Sequence, residues 1–328
     1  MNIGFTYDLK DDYLKAGLSE EAAAEFDAID TIEGVEGALR SLGHRVERIG
    51  SVKRLVELLV AGKRWDLVFN IAEGVRGIGR EAQVPTLLDA YDIPYVFSDP
   101  MVLALCLHKG MTKRVVRDGG VPTAKFHVVA DECDIAGVQL EYPLFAKPVA
   151  EGTGKGIGAF SKISDAKVLR ERCLDLLEKH RQPVLVEEYL PGRECTVGIV
   201  GTGRDARVVG VMEVVFKPTA ERDAYGLHNK KNYKEIMEYV VPEKVLYEAC
   251  GEVALAAWRV LECRDGGRVD VRCDRHGVPN FIEVNPLAGL HPIDSDLPIL
   301  ARLNGTDYRT LIGMIMDSAL RRIERDRR

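Results

Sequence analysis

The sequence predicts a chain that begins as an α/β domain with a mostly parallel sheet and continues as α+β parts built on antiparallel strands. Three observations support this prediction. Strand-like and helix-like segments alternate near the N-terminus, several strands surround one amphipathic helix in the middle, and a strand pair with two-residue alternation follows in the last third. A length of 328 residues suits two or three domains.

Residues 1–100 are predicted to form the first domain. Strands are predicted at residues 2–7, 45–49, 65–71 and 93–97, and helices at residues 22–42, 55–60 and 84–91. Because each helix lies between two strands, the strands should be parallel, with helices on both faces of the sheet. Pro100 begins a change of character, and the domain boundary is placed there.

Residues 101–190 are predicted to form a central domain. Its predicted strands lie at residues 123–129, 143–148, 157–163 and 183–189, with one helix at residues 165–180. A run of strands with few helices favours an antiparallel α+β unit. The loop at residues 150–156, called the glycine loop below, has three glycines in seven residues. Its backbone N–H groups can therefore approach an anion closely.

Residues 191–328 are predicted to form a third domain. Strands at residues 194–200 and 207–216 precede a polar stretch at residues 217–234. A long helix at residues 243–261, two more strands and two terminal helices complete the chain. The polar stretch lacks an apolar period and is long enough to be a functional loop, such as a lid.

The hairpin at residues 268–285 carries the clearest chemical signal. Strand pairing around its turn would place Asp270 opposite Glu283, and Arg268 opposite Asn285. Two directly opposed carboxylates destabilise a sheet unless a divalent cation joins them. Their oxygen ligands suit Mg²⁺ or Mn²⁺ rather than zinc. The alternative is an exposed polar face on which neighbouring arginines neutralise the acids.

The same alternation predicts which hairpin side chains face the core. On the second strand, Ile282 and Val284 are expected to face the core, and Phe281 the opposite side. Gly277 lies in the connection, where it can supply a positive φ.

Charged residues elsewhere leave two interpretations open. Lys147 lies within an apolar strand, where a lysine is destabilising unless it meets an anion or reaches water at the strand edge. Lys109 and Lys113 share a helical face, which is either solvated or directed at an anion. Glu187 and Glu188 follow an apolar strand and, taken alone, favour plain surface charge.

Composition excludes several classes of function. Hydrophobic residues make up 46% and charged residues 29% of the sequence, as in globular proteins. The net charge of −6 gives no basic face for nucleic acid, and no apolar run reaches the roughly 20 residues of a membrane span. The 7 cysteines are scattered without a C-x-x-C pair, which favours reduced core residues. We therefore expect a cytoplasmic protein without a signal peptide, a membrane segment or a nucleic-acid partner.

Taken together, the motifs resemble the ATP-grasp superfamily and, within it, the D-alanine–D-alanine ligase-like family. They occur in family order over nearly the whole chain. The motifs are residues 69–74 (FNIAEG), 93–95 with Ser98, Lys109 with Lys113, 145–148 with the glycine loop, 184–194, 268–270, and 283–285 followed by Gly289. The resemblance implies a three-domain ATP-grasp architecture with a Rossmann-like first domain and ATP between the central and C-terminal domains.

The resemblance implies a nucleotide and metal site. Lys109 and Lys147 would contact the nucleotide phosphates, and Glu194 the ribose. Two magnesium ions, or manganese, would be held by Asp270, Glu283 and Asn285. The remaining nucleotide-binding residues would be Glu151, Gly152, Thr153, Gly154, Lys155 and Gly156 of the glycine loop, and Glu187, Glu188, Tyr189 and Leu190 around adenine.

The resemblance also implies the reaction. ATP would phosphorylate a small-molecule carboxylate, and an amine would attack the acyl phosphate to form an amide, releasing ADP and phosphate. Arg268 and the backbone N–H of Gly289 would stabilise the developing charge. Lys231 and Tyr233 loosely match the lid pair of the family. A homodimer through the first domain is implied by analogy alone.

Several departures from the family pattern concern the substrate. Glu73 stands where the ligases usually carry histidine, and Thr153 alone replaces their loop serines. Ser295 matches a carboxylate-binding serine but is flanked by acids. The flanking acids are Asp294 and Asp296, which favour a substrate with additional positive charge. Glu25 and Asp27 lie only near the place of the glutamate that binds the first amine.

The sequence leaves three functions open. The first is D-alanyl-D-alanine synthesis, and the second is a ligase for another amino acid or biosynthetic substrate pair. The third is a nucleotide-binding regulatory protein that has kept the fold and lost catalysis. The presence of Arg268, Asp270, Glu283 and Asn285 argues against the third.

Overall fold

A parallel three-stranded sheet begins the chain, as the alternation of strands and helices predicts. The computed structural model describes residues 1–216 and 237–327. Strands β1 (Asn2–Thr6), β2 (Arg45–Gly50) and β3 (Leu67–Asn70) pair in the order β2-β1-β3. The helices of this part are α1 (Lys10–Lys15), α2 (Ile29–Ser41), α3 (Val52–Val60) and α4 (Gln83–Ala90), with a 3-10 helix at Arg80–Ala82. Within this sheet, Ile3, Phe5 and Phe69 are fully buried.

The strand expected at residues 93–97 is wrong, because only Tyr95 forms a β-bridge, with Val68. The Tyr95 carbonyl accepts a hydrogen bond from Arg322, at 2.8 Å, and the Phe97 N–H donates to Asp265, at 2.9 Å. The side chains of Arg322 and Asp265 therefore form hydrogen bonds with backbone groups that pairing with a neighbouring strand would require. Phe97 also has a positive φ of 77°, which ends the extended conformation.

An antiparallel four-stranded sheet follows, preceded by α5 (Pro100–Leu107) and α6 (Lys109–Asp118). Its strands are β4 (Phe126–Val129), β5 (Leu144–Pro148), β6 (Lys162–Ile163) and β7 (Val184–Glu188), in the order β4-β7-β5-β6. Helix α7 (Ala166–His180) packs on this sheet, and 3-10 helices lie at Glu132–Gly137 and Ala159–Ser161. The strand expected at residues 157–163 is reduced to β6, because a 3-10 turn occupies its middle.

The third sheet has five antiparallel strands in the order β10-β9-β8-β11-β12. Its strands are β8 (Glu194–Val200), β9 (Arg207–Phe216), β10 (Met237–Val240), β11 (Gly266–Cys273) and β12 (Pro279–Asn285). The helices are α8 (Lys244–Val260), α9 (Asp296–Leu303) and α10 (Tyr308–Asp326), with a 3-10 helix at Gly203–Asp205. Within residues 1–216 and 237–327, no helix has the length and apolarity of a membrane span. The domain boundaries at residues 100 and 190 stay a prediction.

The β11–β12 hairpin pairs as its alternation predicts. Asp270 lies opposite Glu283, Arg268 lies opposite Asn285, and Gly277 in the turn has a φ of 79°. The predicted orientations of Phe281 and Ile282 are wrong: Phe281 is fully buried, whereas Ile282 lines a cavity. A β-bulge after Asp270 causes this, because it shifts the register and exchanges the faces beyond it.

Candidate active site

Two cavities meet at the β11–β12 hairpin. The small cavity, of about 90 Å³, lies between the second and third sheets. The large cavity, of about 560 Å³, lies between the first part of the chain and the third sheet. Glu283 lines both of them. A ligand that extends from one cavity to the other would therefore pass the carboxylates of the hairpin.

The small cavity collects most of the residues expected to contact a nucleotide. Its wall includes the expected residues Lys147, Gly154, Glu187, Glu188, Tyr189, Leu190, Glu194, Asp270 and Glu283. The Tyr189 ring stacks on Phe145, with 6.4 Å between ring centroids, and the Arg272 guanidinium lies 5.2 Å from the Tyr189 centroid. A narrow cleft with aromatic walls and a few polar groups is a common form of ligand site.

The large cavity contains the residues expected around the reacting groups. Of the expected residues, Glu73, Lys109, Glu151, Gly152, Thr153, Arg268, Glu283, Asn285, Gly289, Asp294 and Ser295 line it. Lys155 instead contacts Glu25, and the carbonyl of Gly156 accepts a hydrogen bond from Arg172, at 2.7 Å. Lys231 and Tyr233 lie outside the residues that the structure describes.

Two buried lysines share one buried carboxylate. Glu187 lies 2.9 Å from the ammonium of Lys147 and 2.7 Å from that of Lys113. Lys147 is 3% exposed and Lys113 fully buried, so neither the strand-edge nor the solvated-face interpretation holds. The interpretation of Glu187 as plain surface charge is also wrong, because Glu187 is 4% exposed. With two positive charges and one negative, the cluster has a surplus of positive charge beside the small cavity.

Acid should weaken this cluster in a defined pH range. Burial alone would raise the pKa of Glu187, but Lys113 and Lys147 outweigh it and lower that pKa from 4.5 to about 2. Because this pKa is depressed, ionised Glu187 adds roughly 3 kcal/mol to the free energy of unfolding above pH 4.5. This contribution is lost as the pH falls through 2. Denaturant unfolding of wild type and Glu187→Gln between pH 3 and 6 should show a difference that shrinks with acidity. A pH-independent difference would contradict the assignment.

Three carboxylates stabilise the positive charge of Arg268. It forms an ion pair with Asp270, and its Nε lies 3.7 Å from Asp296. Burial opposes its charged form, but Asp270, Asp296 and Glu283 outweigh burial and raise the pKa of Arg268. Across the junction, the Lys109 ammonium lies 3.6 Å from Glu283. A fixed array of alternating charges therefore stands where the two cavities meet.

The donor set at the junction fits a magnesium ion. Asp270 accepts a hydrogen bond from the Thr196 hydroxyl at 2.9 Å. The buried Asn285 amide nitrogen has no hydrogen-bond partner within the described ranges, so it can donate to an oxygen of a bound ligand while the amide oxygen faces a metal. No group of three or more His, Cys, Asp or Glu in the described chain could hold a metal. A metal at this point would therefore combine Asp270, Glu283 and Asn285 with oxygens of a bound ligand, as magnesium does at phosphates.

The glycine loop is held against the first part of the chain by Glu25. This carboxylate accepts hydrogen bonds from the Gly152 N–H at 2.7 Å and from Arg80 at 2.8 Å, and lies 3.4 Å from Lys155. Arg80 in turn donates to the Ala150 carbonyl at 3.0 Å. Sequence reasoning assigned no role to Arg80 in this loop, because the contact joins segments 70 residues apart.

Loss of the Glu25 charge should loosen the glycine loop. Glu25→Gln weakens two charged contacts, so we expect the KM for ATP to rise about 10-fold and the Gly152 amide to exchange faster with solvent. Steady-state kinetics and hydrogen exchange measure these effects. Glu21→Gln is the matched control, since Glu21 is exposed on the same segment and pairs with Lys179 at 3.5 Å. Equal kinetics and exchange in the two variants would contradict this role.

The far end of the large cavity is built around Gly289 and Ser295. A side chain at Gly289 would begin 2.9 Å from the Ser295 hydroxyl oxygen, closer than normal packing allows. That hydroxyl accepts a hydrogen bond from the His291 N–H at 2.9 Å. Gly289 therefore leaves backbone accessible at the cavity, while Ser295 also stabilises the turn that precedes α9.

The large cavity also contains acids to which sequence reasoning gave no firm role. Asp27 and Glu81 line it together with Glu73. The only sign of these acids in the sequence is a charged residue within a segment of small or apolar residues. That sign is insufficient, because an acid on an exposed loop gives the same local pattern. Glu25 also lines this cavity but pairs with Arg80, whereas Asp27, Glu73 and Glu81 have no ion pair among the described residues.

Comparison with known proteins identifies relatives of this chain over most of its length. The sequence matches the family described as "D-ala D-ala ligase C-terminus" over residues 115–317. A D-alanine–D-alanine ligase of Aquifex aeolicus is 32% identical, over 88% of this chain and 94% of that protein.

Solved structures show the same fold. A D-alanine–D-alanine ligase of Bacillus anthracis, complexed with ATP, superposes with a TM-score of 0.73 at 22% identity, over 99% of both chains. The VanG D-Ala:D-Ser ligase of Enterococcus faecalis gives 0.73 at 19% identity, over 97% of this chain and 99% of that one. The architecture is thus that of the ATP-grasp ligases. Within this class, the chain belongs to the D-alanine–D-alanine ligase family.

Proposed function

We propose that the protein joins a small carboxylate to an amine at the expense of ATP, through an acyl phosphate. The observation that supports this most directly is the junction of the two cavities. There, Arg268 and Asp270 lie opposite Asn285 and Glu283, with Lys109 at the side. ATP would occupy the small cavity with its phosphates directed at this junction, and the carboxylate and amine would occupy the large cavity.

The charges at the junction suit phosphoryl transfer. Lys147, held by Glu187, and Lys109, held by Glu283, would position the phosphates of ATP. A carboxylate oxygen attacks the terminal phosphorus, and the bond to the ADP oxygen breaks. Asp270, Glu283 and Asn285 would hold magnesium, which neutralises charge on the phosphates. Because Arg268 is fixed by Asp270 and Asp296, it is oriented before the substrate binds.

The second step forms the amide. A neutral amine attacks the acyl carbon and the new C–N bond forms. Phosphate leaves with the former carboxylate oxygen and takes up the proton that the amine nitrogen loses. Arg268 and the backbone N–H of Gly289 would stabilise the oxyanion of the tetrahedral intermediate. Water must be kept away from the acyl phosphate during this step. The glycine loop, held by Glu25 and Arg80, would close one side of the site.

The substrate pair is part of the proposal. The relatives named D-alanine–D-alanine ligase favour two amino acids, and D-alanine is the first pair to test. A ligase for another amino acid or biosynthetic pair is favoured by the acids of the large cavity, Glu73, Asp294 and Asp296 among them. No nucleic acid is expected as a partner, and a homodimer stays a prediction.

The experiment is phosphate release with magnesium and ATP, over a panel of amino acids singly and in pairs. Turnover that requires a carboxylate and an amine together, with one amide formed per ADP, is the expected result. If D-alanine as the sole amino acid gives no turnover, D-alanyl-D-alanine synthesis is excluded and the other substrate pairs remain candidates. ATP binding without turnover for every pair would favour the regulatory alternative and contradict the proposal.

A further inference from the structure

One wall of the large cavity is formed by three carboxylates from the first part of the chain. Asp27 lies just before α2, Glu73 lies in the loop after β3, and Glu81 lies in the 3-10 helix before α4. We call Asp27, Glu73 and Glu81 the acidic wall. The loop after β3 extends from the carboxyl edge of the parallel sheet, where open α/β sheets bind their ligands.

The cations around the same cavity are already paired. Lys10 lies 3.3 Å from Glu20, and Arg80 lies 2.8 Å from Glu25. On the opposite side, Lys109 pairs with Glu283, and Arg268 with Asp270 and Asp296. No member of the acidic wall has an ion-pair partner within 4 Å in the described part of the chain. The wall therefore carries a surplus of carboxylates that the protein does not neutralise by direct contact.

Glu81 is the member of the acidic wall whose charge most clearly lacks a partner. It is 8% exposed, lines the cavity, and has neither a hydrogen bond nor an ion pair among residues 1–216 and 237–327. A buried carboxylate without a partner destabilises the folded chain, and burial raises the pKa of Glu81 to about 7. Groups that weaken the fold in this way are concentrated where a ligand supplies the missing partner.

The missing partner has the properties of an organic cation. The acidic wall is no metal cluster, because no three such side chains in the described ranges are close enough to hold one ion. A single α-ammonium group would neutralise one carboxylate and leave two. An amino acid with a cationic side chain would place a second ammonium or guanidinium group within reach of the other two, at the end of a flexible apolar stem.

On the basis of the proposed function, we propose that one substrate is an amino acid with a cationic side chain. The acidic wall binds this cation. Asp27, which lines the same cavity, binds the α-ammonium, and Glu73 and Glu81 bind the side-chain cation. The substrate carboxylate then points to Arg268 and Gly289 at the opposite end of the cavity.

The test compares amino acids that differ only in the distal charge. Calorimetry in the presence of magnesium and a non-hydrolysable ATP analogue would measure lysine against norleucine, ornithine against norvaline, and 2,4-diaminobutyrate against 2-aminobutyrate, each as both enantiomers. We expect at least one cationic member to bind about 10-fold more tightly than its neutral match, as for one buried charge pair. Glu81→Gln and Glu73→Gln should each remove most of that difference and leave binding of the neutral member within about threefold.

Four further outcomes test the inference, and the last two separate it from the proposed function. Glu57→Gln, an exposed acid on α3, should leave all affinities unchanged. Above pH 7, where Glu81 is charged, Glu81→Gln should raise the melting temperature of the ligand-free protein, because it removes a buried unpaired charge. Equal binding of cationic and neutral members would overturn the inference. If neutral amino acids are nevertheless turned over, the ligase proposal stays intact. Selective cation binding without any turnover would contradict the ligase proposal alone.

Discussion

Replacing Asp270 by Asn is expected to lower kcat for phosphate release about 10²–10³-fold, the range for loss of one preorganised charge contact. Asn keeps the size of the side chain and can still accept the hydrogen bond from Thr196. It removes the negative charge that would hold magnesium and that fixes Arg268 in an ion pair. Both losses act on the step in which charge develops on the transferred phosphoryl group.

The matched control is Asp205→Asn. Asp205 forms an exposed ion pair with Arg325, at 3.1 Å, and such pairs contribute little. Both variants should remain folded under assay conditions, since Arg268 keeps Asp296 as a partner, and denaturant unfolding checks this. A kcat for Asp270→Asn within tenfold of the control would contradict the metal assignment.

Replacing Asp265 by Ala should destabilise the protein by about 3–5 kcal/mol, the range for breaking one side of a buried ion pair. Asp265 is fully buried and accepts hydrogen bonds from Arg322 at 2.7 Å and from the Phe97 N–H at 2.9 Å. It also accepts from the hydroxyls of Ser318 at 3.0 Å and Thr202 at 3.2 Å. This one carboxylate connects the segment after α4 with the third sheet and the last helix.

Urea unfolding of the purified protein would measure this effect. Asp205→Asn again serves as the control, because it removes an ion pair at the surface rather than in the interior. The double variant Asp265→Ala, Arg322→Met should recover part of the loss, since it leaves no unpaired buried guanidinium. A loss below 1 kcal/mol for Asp265→Ala would show that the network is dispensable.

The sequence is sufficient where a local pattern determines the structure. Two-residue alternation predicts the pairing of Asp270 with Glu283, because the register follows from the apolar face and the turn. The same pattern fails beyond Asp270, where a bulge exchanges the faces of Phe281 and Ile282. A bulge depends on how the strand packs across the sheet, and the alternation does not contain that information.

The sequence is insufficient where partners are distant in the chain. Glu187 appears as surface charge because its partners, Lys113 and Lys147, precede it by 74 and 40 residues. The strand expected at residues 93–97 fails for a similar reason, since Arg322 occupies one of its backbone groups. The acids of the large cavity are recognised only once folding brings two loops and a 3-10 helix together.

The central claim is that Asp270 and Glu283 hold a divalent ion against the phosphates of ATP. Electron paramagnetic resonance of Mn²⁺, titrated into the protein with a non-hydrolysable ATP analogue, tests it most directly. Two bound ions per chain in the wild type are expected, with loss of at least one in the double variant Asp270→Asn, Glu283→Gln. Identical Mn²⁺ stoichiometry and affinity in the wild type and the double variant would contradict the claim.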